Sequence, residues 1–138
     1  MRRTLIVTIG YWVMGLACLL GPAITVGQQS PPTENKGVSV GKTAAIDLGP
    51  EIEGMQGRQL RLRVITVEPG GYIRNHNHKD WPEVVYVSQG AVSEYRGSQS
   101  NDYRAADTFQ GTKDTTHWIE NRGTVPAVII VADVFKQP

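Results

Sequence analysis

Cysteine is nearly absent: the one copy, Cys18, lies in a stretch expected to be removed. The rest of the chain can therefore form neither a disulfide nor a thiolate metal site. Excess charge is also missing. Fourteen basic residues face thirteen acidic ones, for a formal charge of +1. Without Arg2 and Arg3 the balance is twelve against thirteen, or −1. So near-neutral a domain has no electrostatic footprint for nucleic acid. No segment beyond the N-terminus repeats apolar residues at a helical period, so helices are not expected. No internal repeat is visible, and 138 residues hold one domain at most. A domain of about 110 residues without disulfides rests on its core alone, which is feasible at that size.

The N-terminus reads as an export signal. Arg2 and Arg3 precede an uncharged apolar run from Leu5 to Leu20, and Gly21-Pro22 then breaks any helix. Small residues before Gln28 place cleavage after Gly27, giving a signal peptide over 1–27. The rival reading is an uncleaved inner-membrane anchor, since about sixteen apolar residues lie near the low end for a span. Either way the remainder is expected in the periplasm or outside the cell, with the membrane touched only through the N-terminal segment. Residues 28–36 are polar with two prolines and read as a flexible linker. The folded domain is expected over 37–138, with its core at about 59–135.

From Gln59 the pattern is that of strands. Leu60, Leu62, Val64 and Thr66 alternate with Arg61, Arg63, Ile65 and Val67, and Pro69-Gly70-Gly71 is expected to end that strand in a turn. Short strands then follow over 72–75, 84–88, 92–96, 102–103, 118–120 and 127–135, and an earlier one over 38–48. Turns carry Gly90, Gly97, Gly111 and Asn121-Arg122-Gly123. Many short strands with glycine turns point to an all-β antiparallel sandwich or barrel. The apolar run Val128-Ile129-Ile130-Val131 is hazardous as a bare edge, so it is either an edge covered in a homodimer or a central strand.

The three histidines fall in two places. His76 and His78 share one face of an extended backbone, because strand side chains repeat every two residues. Glu83 stands just past Pro82 at the head of an apolar run. His117 follows in a second cluster. Three imidazoles and a carboxylate suit one divalent transition metal: manganese, iron, nickel or zinc. The bland alternatives are a surface His pair, a salt bridge from Glu83 to Arg61 or Lys79, and a buried structural His117.

These residues resemble the two motifs of the cupin superfamily. Gly70, His76, His78, Glu83 and Gly90 meet the fixed positions of the first motif, and His117 with Asn121 ends the second. Ala106, Thr112 and Asp114 depart from the family's glycine, proline and glycine, while Asp107 matches. The resemblance runs from about Gln59 to Phe135. It implies a single antiparallel jelly-roll β-barrel with His76, His78, Glu83 and His117 on one metal.

If those ligands point inward, so do Arg74, Val85, Val87, Thr115 and Ile119, while Tyr86, Trp118 and Glu120 face away. Arg61, Arg63 and Arg74 are candidates to hold an acidic group of a small-molecule substrate. Trp81 is a candidate to stack on it or to cover the rim, and Thr115 to contact it. Asn121 reads as a turn residue. No general base is evident; Glu94 and Glu120 are the candidates, with Glu120 pointing outward. Whether the protein is an enzyme is left open. The family resemblance implies a metal-dependent enzyme of dioxygenase, decarboxylase, lyase or isomerase type, acting on a small oxygenated organic molecule. The alternative is a non-catalytic module binding a metal, a sugar or another small ligand.

Overall fold

The computed structural model describes residues 30–136. The expected leader over 1–27 lies outside the described residues. Eight strands are formed: β1 (Lys36–Asp47), β2 (Arg58–Asn77), β3 (Glu83–Gln89), β4 (Ala91–Arg96), β5 (Gln99–Arg104), β6 (Thr108–Gly111), β7 (Thr116–Glu120) and β8 (Ala127–Lys136). All pairings are antiparallel. The order is β5-β4-β7-β2-β8-β3-β6, with β1 on the free side of β2. The sheet curls into a nearly closed antiparallel barrel of the jelly-roll class. No helix among the described residues is long and apolar enough to cross a membrane.

The long strand β2 does the work of two. Residues 58–67 pair with β8, and residues 72–77 pair with β7. Pro69-Gly70-Gly71 does not end the strand but bends it. Gly70 takes φ +70°, and a Cβ at Gly71 would lie 2.7 Å from the Lys36 carbonyl oxygen. Only glycine permits that positive φ and that close approach at so little cost. The bend brings Arg61 and Arg63 from one half of β2 beside His76 from the other.

Alternation sets the core. In β8 buried and half-buried residues alternate from Ala127 to Val134. Ile65, Val67, Val85, Val87, Val92, Phe109, Ile119, Ile129 and Val131 meet inside, each stabilising the fold by about 1.5–3 kcal/mol through burial. The run Val128–Val131 belongs to a central strand, hydrogen-bonded to β2 and β3, so its backbone is satisfied. Trp118 faces away from the barrel interior as expected. It is nonetheless buried, because Tyr95 stacks on it with ring centroids 3.9 Å apart. Within the stretch read as a linker, two contacts reach β2. Asn75 N donates to the Pro32 carbonyl (2.8 Å), and Arg74 N donates to Asn35 Oδ1 (2.9 Å).

Candidate metal centre

Three strands deliver the histidines and the glutamate to one point. His76 ends β2 and pairs with His117 on β7. His78 lies just past β2, and Glu83 opens β3. One ligand atom from each of the four lies within 4.8 Å of the others. Nε2 of His78 is 2.8 Å and Nε2 of His76 is 3.3 Å from Nε2 of His117. Glu83 Oε1 is 3.4 Å from His78 Nε2 and 3.9 Å from His117 Nε2. Ligands bonded at about 2.1 Å to one ion stand roughly 3 Å apart at right angles and 4.2 Å apart when opposite. The four distances fall in or beside that range, so the residues fit a metal.

The outward nitrogens fix the chemistry. Nδ1 of His76 faces the Arg74 carbonyl (2.8 Å), and Nδ1 of His78 faces the Trp81 carbonyl (3.0 Å). Nδ1 of His117 faces Glu94 Oε1 (2.5 Å). Two carbonyls and a carboxylate accept and do not donate. Each neutral ring therefore carries its proton on Nδ1 and turns the bare lone pair of Nε2 inward. Three lone pairs converging in a buried space repel one another unless a cation lies among them.

Burial holds the His76 and His78 rings neutral. It is the main cause that lowers His76 to about 4, with the neighbouring His117, His78 and Arg74 charges adding to it. Burial likewise lowers His78. The same desolvation raises Glu83 to about 7, against the pull of the Arg63 guanidinium. Burial alone would raise Glu94 too. Hydrogen bonds with His117 and Arg96 outweigh it, and the carboxyl ends below its ordinary range.

A cavity of about 160 Å³ opens onto the cluster, lined by Asn35, Arg61, Arg63, Ile73, Arg74, Trp81 and Asp133 beside His76, His78 and Glu83. Arg61 makes a two-pronged contact to Asp133 (3.0 and 2.9 Å). Arg63 reaches the same carboxylate at 2.6 Å and Glu83 at 3.7 Å. Arg74 is exposed at the rim. Trp81 stacks on Phe135, with centroids 5.8 Å apart, and its Nε1 donates to the Asn77 carbonyl. Thr115, a candidate for substrate contact, does not line this cavity. Its hydroxyl accepts Thr112 N (3.0 Å) and closes the 112–115 turn. Asn121 is a turn residue, buried and donating to the Val67 and Val125 carbonyls (2.8 Å each).

Two functional positions, Asp133 and Gly111, escape sequence reasoning, and Glu94, a candidate base, takes a different role. Glu94 is completely buried behind His117, where Arg96 and the Tyr103 hydroxyl also hold it. Asp133 fixes Arg61 and Arg63, two of the three cavity arginines. Gly111 is a strand residue, not a turn, and a Cβ there would lie 2.8 Å from the His78 ring. Its lack of a side chain is what seats the ring.

Comparison with known proteins places the fold. Residues 63–133 match the family model described as Cupin domain. Curated proteins give no match. Among solved structures, an uncharacterised protein with a double-stranded β-helix domain from Klebsiella pneumoniae is similar at TM-score 0.55 and 16% identity, over 77% of this chain and 81% of that one. A predicted oxalate decarboxylase from Thermotoga maritima is similar at TM-score 0.54 and 15% identity, over 77% and 94%. A sugar phosphate isomerase from Silicibacter pomeroyi is similar at TM-score 0.52 and 22% identity, over 68% and 60%. The chain thus spans 60% of that isomerase's length.

Proposed function

The chain belongs to the cupin family, and from that premise we propose an exported protein that holds one divalent transition metal through His76, His78, Glu83 and His117 and acts with it on a small oxygen-bearing organic molecule. The observation that carries this reading is the inward convergence of three imidazole lone pairs, each fixed by an acceptor on Nδ1. Iron, manganese, nickel or zinc would supply Lewis acidity there, and iron or manganese redox chemistry as well. The remaining roles belong to the chain. Arg74 makes no side-chain hydrogen bond or ion pair with the described residues, and its charge reaches His76. At the rim it is placed to receive an acidic group of the ligand. Arg63 orients the second oxygen of Glu83. Ile73 and Trp81 narrow the entrance and limit water. Two structures of similar fold bear names of enzymes on small oxygenated compounds, a sugar phosphate isomerase and a predicted oxalate decarboxylase. At their low identity they support the fold and leave the reaction open.

One observation favours a second reading, a non-catalytic binding module. No candidate carboxylate is free to move protons at the cavity: Glu120 does not line it and accepts the Tyr95 hydroxyl (3.0 Å). Asp133 is held by Arg61 and Arg63, and Glu94 sits behind His117, outside the cavity.

Elemental analysis of the exported protein, followed by a screen of small organic acids and sugars with product and oxygen-uptake detection, separates the readings. One equivalent of metal, with turnover lost in His76→Ala but kept in a surface control such as Lys113→Ala, supports the enzyme. Stoichiometric ligand binding without turnover supports the module. A chain that takes up no metal under any loading condition overturns the enzyme and leaves only a module for a sugar or another small ligand.

A further inference from the structure

β2 is irregular just before the metal ligands. Its register against β7 shifts between Ile73 and His76. Such a shift leaves backbone groups outside the ladder. Here two successive ones are answered by the chain ahead of the barrel. Arg74 N donates to Asn35 Oδ1 (2.9 Å), and Asn75 N donates to the Pro32 carbonyl (2.8 Å). The stretch with a linker's composition is thus a strap laid on β2. Register brings it there, because Lys36 opens β1 opposite Tyr72. Pro31 and Pro32 stiffen it, which lowers the entropy lost in fixing it.

The strap carries Asn35 into the wall of the cavity. Accepting from Arg74 N uses Oδ1 and so fixes which way the carboxamide lies. Nδ2, with two N–H donors, is the free end, and it meets no acceptor among the described residues. The Arg74 guanidinium, on the same cavity wall, has no partner among them either. Charge makes the fitting ligand an anion. Arg61 and Arg63 are held by Asp133, and Arg63 also faces Glu83. Two carboxylates therefore balance two of the three cavity arginines, and Arg74 is the surplus. A divalent metal adds to that surplus. At about 160 Å³ the cavity has room for about five waters at roughly 30 Å³ each, which suits an acid of roughly three or four carbons.

We infer that Asn35 is a specificity residue of the metal site: its Nδ2 and the Arg74 guanidinium together bind the carboxylate of a small organic acid whose other end meets the metal. This rests on the metal reading above and adds to it a residue from outside the barrel. A carboxylate accepts from both donors and neutralises Arg74, while a neutral hydroxyl leaves that charge uncompensated.

Calorimetric titration of the exported chain, loaded with zinc or manganese, tests this with malonate and with glycerol as an uncharged match in size. Malonate is expected to bind roughly a hundredfold tighter than glycerol. Asn35→Ala loses the donor and is expected to weaken malonate about tenfold, with metal affinity unchanged by chelator competition. Asn35→Asp keeps an oxygen for Arg74 N but sets a negative charge where the donor was. It is expected to weaken malonate about a hundredfold. A strap that only holds β2 gives the opposite order, with Asn35→Asp harmless and Asn35→Ala harmful, and that order overturns the inference. So does malonate binding that neither variant changes, or malonate that binds no better than glycerol. In each of these cases the metal still binds, so the metal reading survives. A chain that takes up no metal overturns that reading and this inference with it.

Discussion

The two ends of the barrel are built by the same strands and differ only in what the inward positions carry. At one end Val67 and Ala127 pair, and one layer on Ile65 lies beside Ile129 and Val87. A further layer holds Arg63, Val131, Val85 and Phe109. The last holds Arg61, Asp133, Glu83 and Gly111. β7 repeats the change, from Ile119 to His117. Two steps of register turn an aliphatic core into a site. The aliphatic end gains free energy from burial; the polar end spends some of it. There burial drives His76 down to about 4 and Glu83 up to about 7. The comparison teaches that stability and chemistry are separated along the barrel axis and not by domain or loop.

The most direct way to break this separation is a pair of truncations. Ile129→Ala, in the aliphatic layers, is expected to cost about 2–5 kcal/mol in urea unfolding of the metal-free chain, while the folded fraction binds metal with nearly unchanged affinity. His76→Ala, at the polar end, is expected to cost about a hundredfold or more in metal affinity, as one share of a four-ligand site, with a smaller effect on metal-free stability. Comparable losses in both quantities from either variant would show the two ends to be one cooperative unit.

A smaller effect is expected one shell out. Glu94 belongs to neither end by position, since it reaches the site only through His117. Glu94→Gln keeps the shape but weakens the acceptor on Nδ1, and a loss of about 10–100-fold in metal affinity is expected from such partners. Competition titration with a chelator reads it. Unchanged affinity would make Glu94 a structural counter-charge for Arg96 alone.

Acidity separates the ends without mutation. Glu83 in the metal-free fold titrates at about 7, above its ordinary 4.5. Its contribution to metal-free stability is therefore fully present below about 4.5 and is lost as pH rises through about 7. Metal affinity runs the other way, because the ligand must be ionised. Glu83 alone makes affinity fall about tenfold for each unit below pH 7. Calorimetric titrations between pH 5 and pH 8 should show this slope flattening above 7, with a proton released on binding. Glu83→Gln should bind weakly but lose this component of the slope.

Much of this organisation was legible in the sequence, for a physical reason. Period-two alternation and glycine spacing are local signals, and they reveal the all-β fold and the shared face of His76 and His78; that Glu83 and His117 join them was implied by the resemblance to the cupin motifs. What was hidden depends on partners distant in the chain. Asp133 acquires meaning from Arg61, 72 residues away, and Glu94 from His117, 23 residues away. Neither has a spacing to detect. β6 is four residues long and ends in glycine, so Thr108–Gly111 reads as loop until β3 pairs with it. Pro69-Gly70-Gly71 has the composition of a turn, yet pairing on both sides carries β2 through it. Thr115 sits at the right alternation for the cavity, but a tight turn captures its hydroxyl first.

The smallest effect concerns a departure from the family pattern. Ala106 stands where cupins usually have glycine, and it is the only non-glycine among the described residues with positive φ, at 77°. The backbone there is held by Ala106 N donating to the Val87 carbonyl (2.9 Å), beside Val87 N donating to the Asp107 carbonyl (3.0 Å). Those bonds keep the chain in a conformation that costs an L-residue about 1–2 kcal/mol. Glycine would remove that cost but lose about 0.5–1 kcal/mol to its greater freedom when unfolded. Ala106→Gly is therefore expected to stabilise the fold by roughly 0.5–1 kcal/mol in urea unfolding. Because the turn abuts Val87 at the aliphatic end, metal affinity should not change. Asp114, the other residue standing in place of a family glycine, has no positive φ, so Asp114→Gly should bring no such gain. A gain at Asp114 equal to that at Ala106 would trace both to chain flexibility and not to relieved strain.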